Sequence, residues 1–127
     1  MDRELLKTRN IPNIEGIPLD VAEMVKYQQG SVVSREIYAK AAGTITIFAF
    51  DEGQGLSEHT APFDATVFVL DGQVEISIGG KKEQLKAGQL TIMPANVPHA
   101  LNAITPFKML LIMMRQPNPS SQYKIIS

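Results

Sequence analysis

The 127-residue sequence contains no cysteine, which excludes disulfides, thiolate nucleophiles and thiolate metal sites. A reducing compartment suits such a chain. Neither sign of charge is in excess: 12 Lys and Arg stand against 13 Asp and Glu, giving a formal net charge of −1. That balance offers no electrostatic attraction to nucleic acid or to an anionic membrane surface. The one compact basic cluster, Lys81, Lys82 and Lys86, is interrupted by Glu83. It reads as a solvated hairpin edge, where lysine discourages edge-to-edge pairing. Long apolar runs are missing too. The longest, MLLIMM at 109–114, falls far short of the ~20 residues a membrane helix needs. The segment MDRELLKTRN has no apolar signal-peptide core. The expectation is a cytoplasmic protein with neither nucleic acid nor membrane as partner.

What is present is a chain of single-domain length with 44% hydrophobic residues, enough for one core without staples. Residues 1–30 read as an N-terminal extension in which Pro12 and Pro18 break any long helix. The stretch 19–27 fits either a helical turn or an edge strand. From residue 31 to 115, short runs rich in Val, Ile, Thr and Phe alternate with Gly, Asp and Pro. This texture predicts strands near 31–39, 44–50, 57–61, 65–70, 73–78, 81–85, 90–93, 98–102 and 107–114. Gly79-Gly80, between ISI and KKEQL, is a strong hairpin signal because a type I′ turn needs two residues tolerant of positive φ. Many short, regularly spaced strands predict an all-β antiparallel sandwich or barrel. The polar, proline-bearing segment 116–127 reads as a flexible tail.

Two strands are apolar on both faces. TVFVL places Val67 and Val69 on one side and Phe68 and Leu70 on the other, and FKMLLIMM repeats the pattern. A sheet with one wet face alternates instead. These strands need cover from the barrel interior and again from residues 1–40 or from a second subunit, so a homodimer is expected.

The chemistry narrows to two histidines. His59 lies in GQGLSEHTAPFDATVFVLDG at 53–72, and His99 in GQLTIMPANVPHALN at 88–102. These blocks resemble the two motifs of the cupin superfamily, in particular its small single-domain, conserved-barrel members. Gly53, His59 and Gly72 fall at the spacing of the first motif, and Gly88, Pro94 and His99 at that of the second. The departures are specific. Ala61 stands at the second histidine position, Ala65 at the glutamate position, Asn96 at the inner glycine and Ala103 at the final asparagine. The resemblance implies an antiparallel double-stranded β-helix, or jelly-roll barrel. It also implies a divalent metal (Zn, Mn, Fe or Ni) on three histidines and a carboxylate, of which His59 and His99 alone remain. For a replacement ligand, Glu58 and Thr60 alternate away from the face of His59, and Asp64, just before the lost carboxylate position, also points away unless the turn at Pro62 shifts the phase. Glu75 and Asn102 are polar candidates from other strands.

Two functions follow. One is a binding protein, with His59 and His99 as polar anchors for a small organic ligand and with Ala61 and Ala65 leaving room for it. The other is a metalloenzyme, such as a dioxygenase or isomerase, using His59, His99 and water on a metal. A serine triad is disfavoured, since Ser57 and His59 lack an acid partner. The methionines at 24, 93, 109, 113 and 114 read as core filler.

Overall fold

Alternating β-branched residues, punctuated by glycine turns, build nine strands in residues 14–115, the part of the chain described by the computed structural model. They are β1 (Val32–Lys40), β2 (Gly43–Phe50), β3 (Gly55–His59), β4 (Asp64–Asp71), β5 (Gln73–Ile78), β6 (Lys81–Lys86), β7 (Leu90–Met93), β8 (His99–Ala103) and β9 (Phe107–Met114). All pairings are antiparallel. One sheet runs β1-β2-β9-β4-β7 and the other β3-β8-β5-β6. Each expected strand is present. The ambiguous 19–27 segment contains a single 3₁₀ turn at Val21–Glu23. The expected tail at 116–127 and the first 13 residues of the extension lie outside the described residues.

The core lies between the two sheets. Phe50, Val67, Val69, Phe107 and Met109 face it from the first sheet, and Val74, Ile76, Leu101 and Ala103 from the second. Phe50 and Phe107 are fully buried and stack at 4.9 Å. Burying a side chain of this size contributes roughly 1.5–3 kcal/mol.

The second face of the five-stranded sheet is partly covered by the chain itself. Val25 is buried there against Ile47 and Ala49, with Val21, Met24, Tyr27, Leu70 and Leu110 around them. Two polar ties hold the segment down. The Tyr27 hydroxyl donates to Asp71, and the Lys108 ammonium donates to the Ala22 carbonyl while lying 5.1 Å from the Tyr27 ring centre. Among the described residues the cover stops short of β7, where Leu90 and Ile92 are 57% and 51% exposed.

One strand departs from expectation. β3 was expected at 57–61 and occupies Gly55–His59, with a bend at Pro62 and Phe63. Proline has no N–H for the ladder, so pairing ends at His59. Ala61 is therefore not a strand neighbour of His59.

Candidate functional site

His59 and His99 are Cα partners in the β3–β8 pair. Their alignment depends on an irregularity. Leu56 pairs with Leu101 and His59 with His99, so three residues on β3 span two on β8. Strict alternation would put Leu56 and His59 on opposite faces. The extra residue, a β-bulge, restores both to the inner face. Their ring centroids are 4.4 Å apart with planes inclined at 70°. His99 is 4% exposed, whereas His59 stands exposed at the mouth.

Both rings are fixed in the same way. His59 Nδ1 lies 2.8 Å from the Ser57 carbonyl and His99 Nδ1 lies 3.2 Å from the Val97 carbonyl. A carbonyl only accepts, so Nδ1 carries the proton and donates it. In the neutral ring that leaves Nε2 with a free lone pair. Neither Nε2 has a hydrogen-bond partner among the described residues. Burial, and secondarily the adjacent His59, hold the His99 pKa below the usual histidine value.

The two imidazoles line one cavity of about 190 Å³ together with Ala61 and Ala65. The remaining lining is apolar: Leu56, Phe63, Met93, Leu101, Met109, Leu111 and Met113. Thus the four residues singled out from the sequence meet in one place, although Ala61 reaches it from the bend after β3. Ala65, at the start of β4, is flanked in register by Met93 on β7 and by Met113 on β9. These methionines were read as filler. The alternation of FKMLLIMM puts Met109, Leu111 and Met113 on one face, but only the register beside Ala65 reveals where that face leads.

Backbone hydrogen bonds set the mouth. Asn96 N–H donates to the Ala61 carbonyl at 2.7 Å, and Ala95 N–H donates to the Asp64 carboxylate at 2.8 Å. Gly79 N–H donates to the Pro98 carbonyl at 2.8 Å. Asp64 is thus committed to holding the loop that leads to His99. Asn96 occupies the left-handed region, with φ of 64°, the conformation for which the cupin motif carries glycine. Asparagine is among the few other residues that visit it readily. Glu75 and Asn102 pair with each other across β5 and β8. They alternate with the buried Val74, Ile76, Leu101 and Ala103 and so face away from the cavity.

Among the described residues no three His, Cys, Asp or Glu side chains converge on a metal position. Divalent zinc, iron and manganese sites ordinarily need at least three protein ligands. Two imidazoles, with alanine at both other ligand positions and no carboxylate in the lining, do not fit that group.

A family model described as "Cupin domain" matches residues 46–113. Among solved structures, a conserved protein of unknown function from Streptococcus pyogenes is 35% identical. That match covers 86% of this chain and 94% of the other, with a TM-score of 0.78. A cupin 2 conserved barrel domain protein from Leptotrichia buccalis is 42% identical over 76% of this chain, at a TM-score of 0.74, but the match spans only 47% of that protein. A cupin superfamily protein from Desulfitobacterium hafniense is 26% identical, covering 85% and 97% of the two chains at a TM-score of 0.76. No curated protein matches.

Proposed function

This chain belongs to the cupin family, and from that premise we propose that it binds a small, mainly apolar organic molecule in the barrel cavity. One observation carries the reading: among the described residues, the two imidazoles are the only polar side chains in an otherwise apolar lining. The volume sets the size. A cavity of ~150 Å³ takes benzene, and drug-sized pockets begin near ~300 Å³, so about 190 Å³ suits one ring or a short branched chain. The hydrogen-bond sense sets the chemistry. Two Nε2 lone pairs accept, so the ligand offers an O–H or N–H donor at one end rather than a carboxylate.

The test uses phenol, benzene and benzoate as probes in thermal unfolding at about pH 8. Phenol at ten times its Kd stabilises by ~1.4 kcal/mol, a rise in Tm of about 5 °C or more for a domain of this size. Benzene gives less and benzoate least. Benzoate outperforming phenol, or no shift with any probe, would overturn the reading. Cysteine-free composition fits a cytoplasmic setting.

The reading includes a homodimer. Leu90 and Ile92, on the edge strand β7, pair in register with Phe68 and Thr66 on β4 and widen one apolar surface. A two-fold axis lets such a patch meet its own copy, and a net charge of −1 opposes this little. Light scattering should give a dimer at micromolar concentration, and Leu90→Glu with Ile92→Glu should dissociate it. A monomeric parent chain would mean that another segment of the chain covers this face.

A further inference from the structure

We infer that His59 and His99, with the thioethers of Met93 and Met113, form a binding site for cuprous copper rather than for a hard divalent ion. The inference goes beyond the organic-ligand reading. It uses the same two lone pairs and adds sulfur.

The argument starts at the place of the lost carboxylate. Ala65 leaves that position without an oxygen, and its register partners on either side are methionines, Met93 on β7 and Met113 on β9. Both line the cavity that His59 and His99 line. The position that carries a hard anionic donor in the motif is therefore flanked by two soft neutral ones. Thioether ligands select Cu(I), while carboxylates suit magnesium, calcium and manganese, and imidazole serves copper as well as zinc.

The imidazoles are prepared for the metal. Each Nδ1 is engaged by the carbonyl two residues before it, Ser57 on β3 for His59 and Val97 in the loop leading into β8 for His99, the arrangement that fixes the tautomer and orients a metal-ligating histidine. Nε2 is left to coordinate. The pair also stands at the right depth, with His99 buried and His59 at the mouth, so an ion enters past one ligand to reach the other.

Charge points the same way. All four donors are neutral when each imidazole keeps its Nδ1 proton alone, and the rest of the lining among the described residues is apolar. The cost of taking an ion out of water rises with the square of its charge, so an apolar cavity without a carboxylate discriminates against a divalent ion. A soft monovalent ion is the metal that this donor set and this dielectric favour together. Met109, further along β9 and fully buried against the core, is left as packing.

The experiment is anaerobic competition for Cu(I) between a chromogenic chelator and the full, untagged chain, beside titration with zinc. The expected result is one Cu(I) per chain, bound at least a hundredfold more tightly than zinc. X-ray absorption of the copper complex should show both nitrogen and sulfur neighbours. Met93→Leu with Met113→Leu keeps the side-chain volume nearly unchanged, so the fold should persist. In that variant Cu(I) affinity should fall tenfold or more, with zinc binding unmoved. Zinc bound as tightly as Cu(I), or undiminished Cu(I) binding by the folded leucine variant, would overturn the proposal. Phenol binding to the leucine variant reports separately on the organic-ligand reading, which needs the imidazoles and the cavity but not sulfur.

Discussion

His59 and His99 face each other across β3 and β8 with ring centroids 4.4 Å apart, and each turns Nδ1 to the carbonyl two residues before it. The symmetry follows from the register: partner residues on adjacent strands, each curling back onto its own backbone. The result is a pair of acceptor nitrogens with no acid beside them among the described residues.

The first prediction concerns pH. The folded-state pKa of His99 is depressed, first by burial and then by His59. The unfolded chain therefore binds the proton more readily. The stability contributed by neutral His99 is fully present above the unfolded value of about 6.5 and is lost as pH falls through the lower folded value. Metal-free protein should show a urea midpoint that declines below about pH 6.5. In His99→Phe that part of the decline should disappear. An unchanged acid profile in the variant would place the sensitive group elsewhere.

The second concerns Asn96. Its φ of 64° is acceptable to glycine and to asparagine but not to a β-branched residue. Asn96→Gly should leave the melting temperature within a degree or two. Asn96→Val should lose roughly 1–2 kcal/mol and loosen the Asn96–Ala61 contact at the cavity mouth. Equal stability of the two variants would show that the loop adopts another conformation.

Most of the strand positions were legible because glycine turns and two-sided apolar runs are local signals, whereas their order in the two sheets was not read. Three features of the site were not. The bulge in β3 depends on where β8 starts, so simple alternation does not carry across from Leu56 to His59. Pro62 ended the strand early, which moved Ala61 into a bend yet kept it on the cavity. The methionines were visible as residues but not as neighbours: nothing in LTIM or FKMLLIMM alone shows that Met93 and Met113 flank Ala65. That fact arises from two pairings between strands distant in sequence. The apolar double-faced strands did point to outside cover, and the Val25 cluster supplies part of it.

The third prediction concerns the clasp that holds this cover. The Tyr27 hydroxyl donates to Asp71, and burial, followed by that hydrogen bond and the carboxylate charge, raises the Tyr27 pKa above its usual 10. A raised folded pKa means that the stabilisation is complete below the unfolded value and fades as pH climbs through the folded one. Tyr27→Phe should cost about 0.5–1.5 kcal/mol near neutrality. The parent should also lose stability above about pH 10 in a step that the variant lacks. Hydrogen exchange near Val25 should quicken in Tyr27→Phe. No change there would mean that apolar packing alone holds the segment.

The last prediction rebuilds the missing ligands. Ala61 and Ala65 share the cavity with both histidines, so Ala61→His with Ala65→Glu should create a set of three imidazoles and a carboxylate. Ala65 is 4% exposed, and an ionised carboxylate in such a place is costly unless it is paired. The metal-free double variant should therefore be less stable than the parent and should recover when zinc or manganese supplies the charge. Ligands able to reach ~2.0–2.2 Å from one centre would give the shell that divalent ions prefer, although unsupported new ligands commonly lose about 10–100-fold in affinity. The larger side chains also fill the cavity, so phenol binding should vanish. If the thioethers set the parent's preference, the double variant should reverse it, binding zinc more tightly and Cu(I) less. Calorimetric titration of chelator-treated parent and variant decides the matter. Equally tight zinc binding by both would mean that the parent site is already complete through a ligand outside this set. A folded variant that binds neither metal would show that positions 61 and 65 do not converge on His59 and His99.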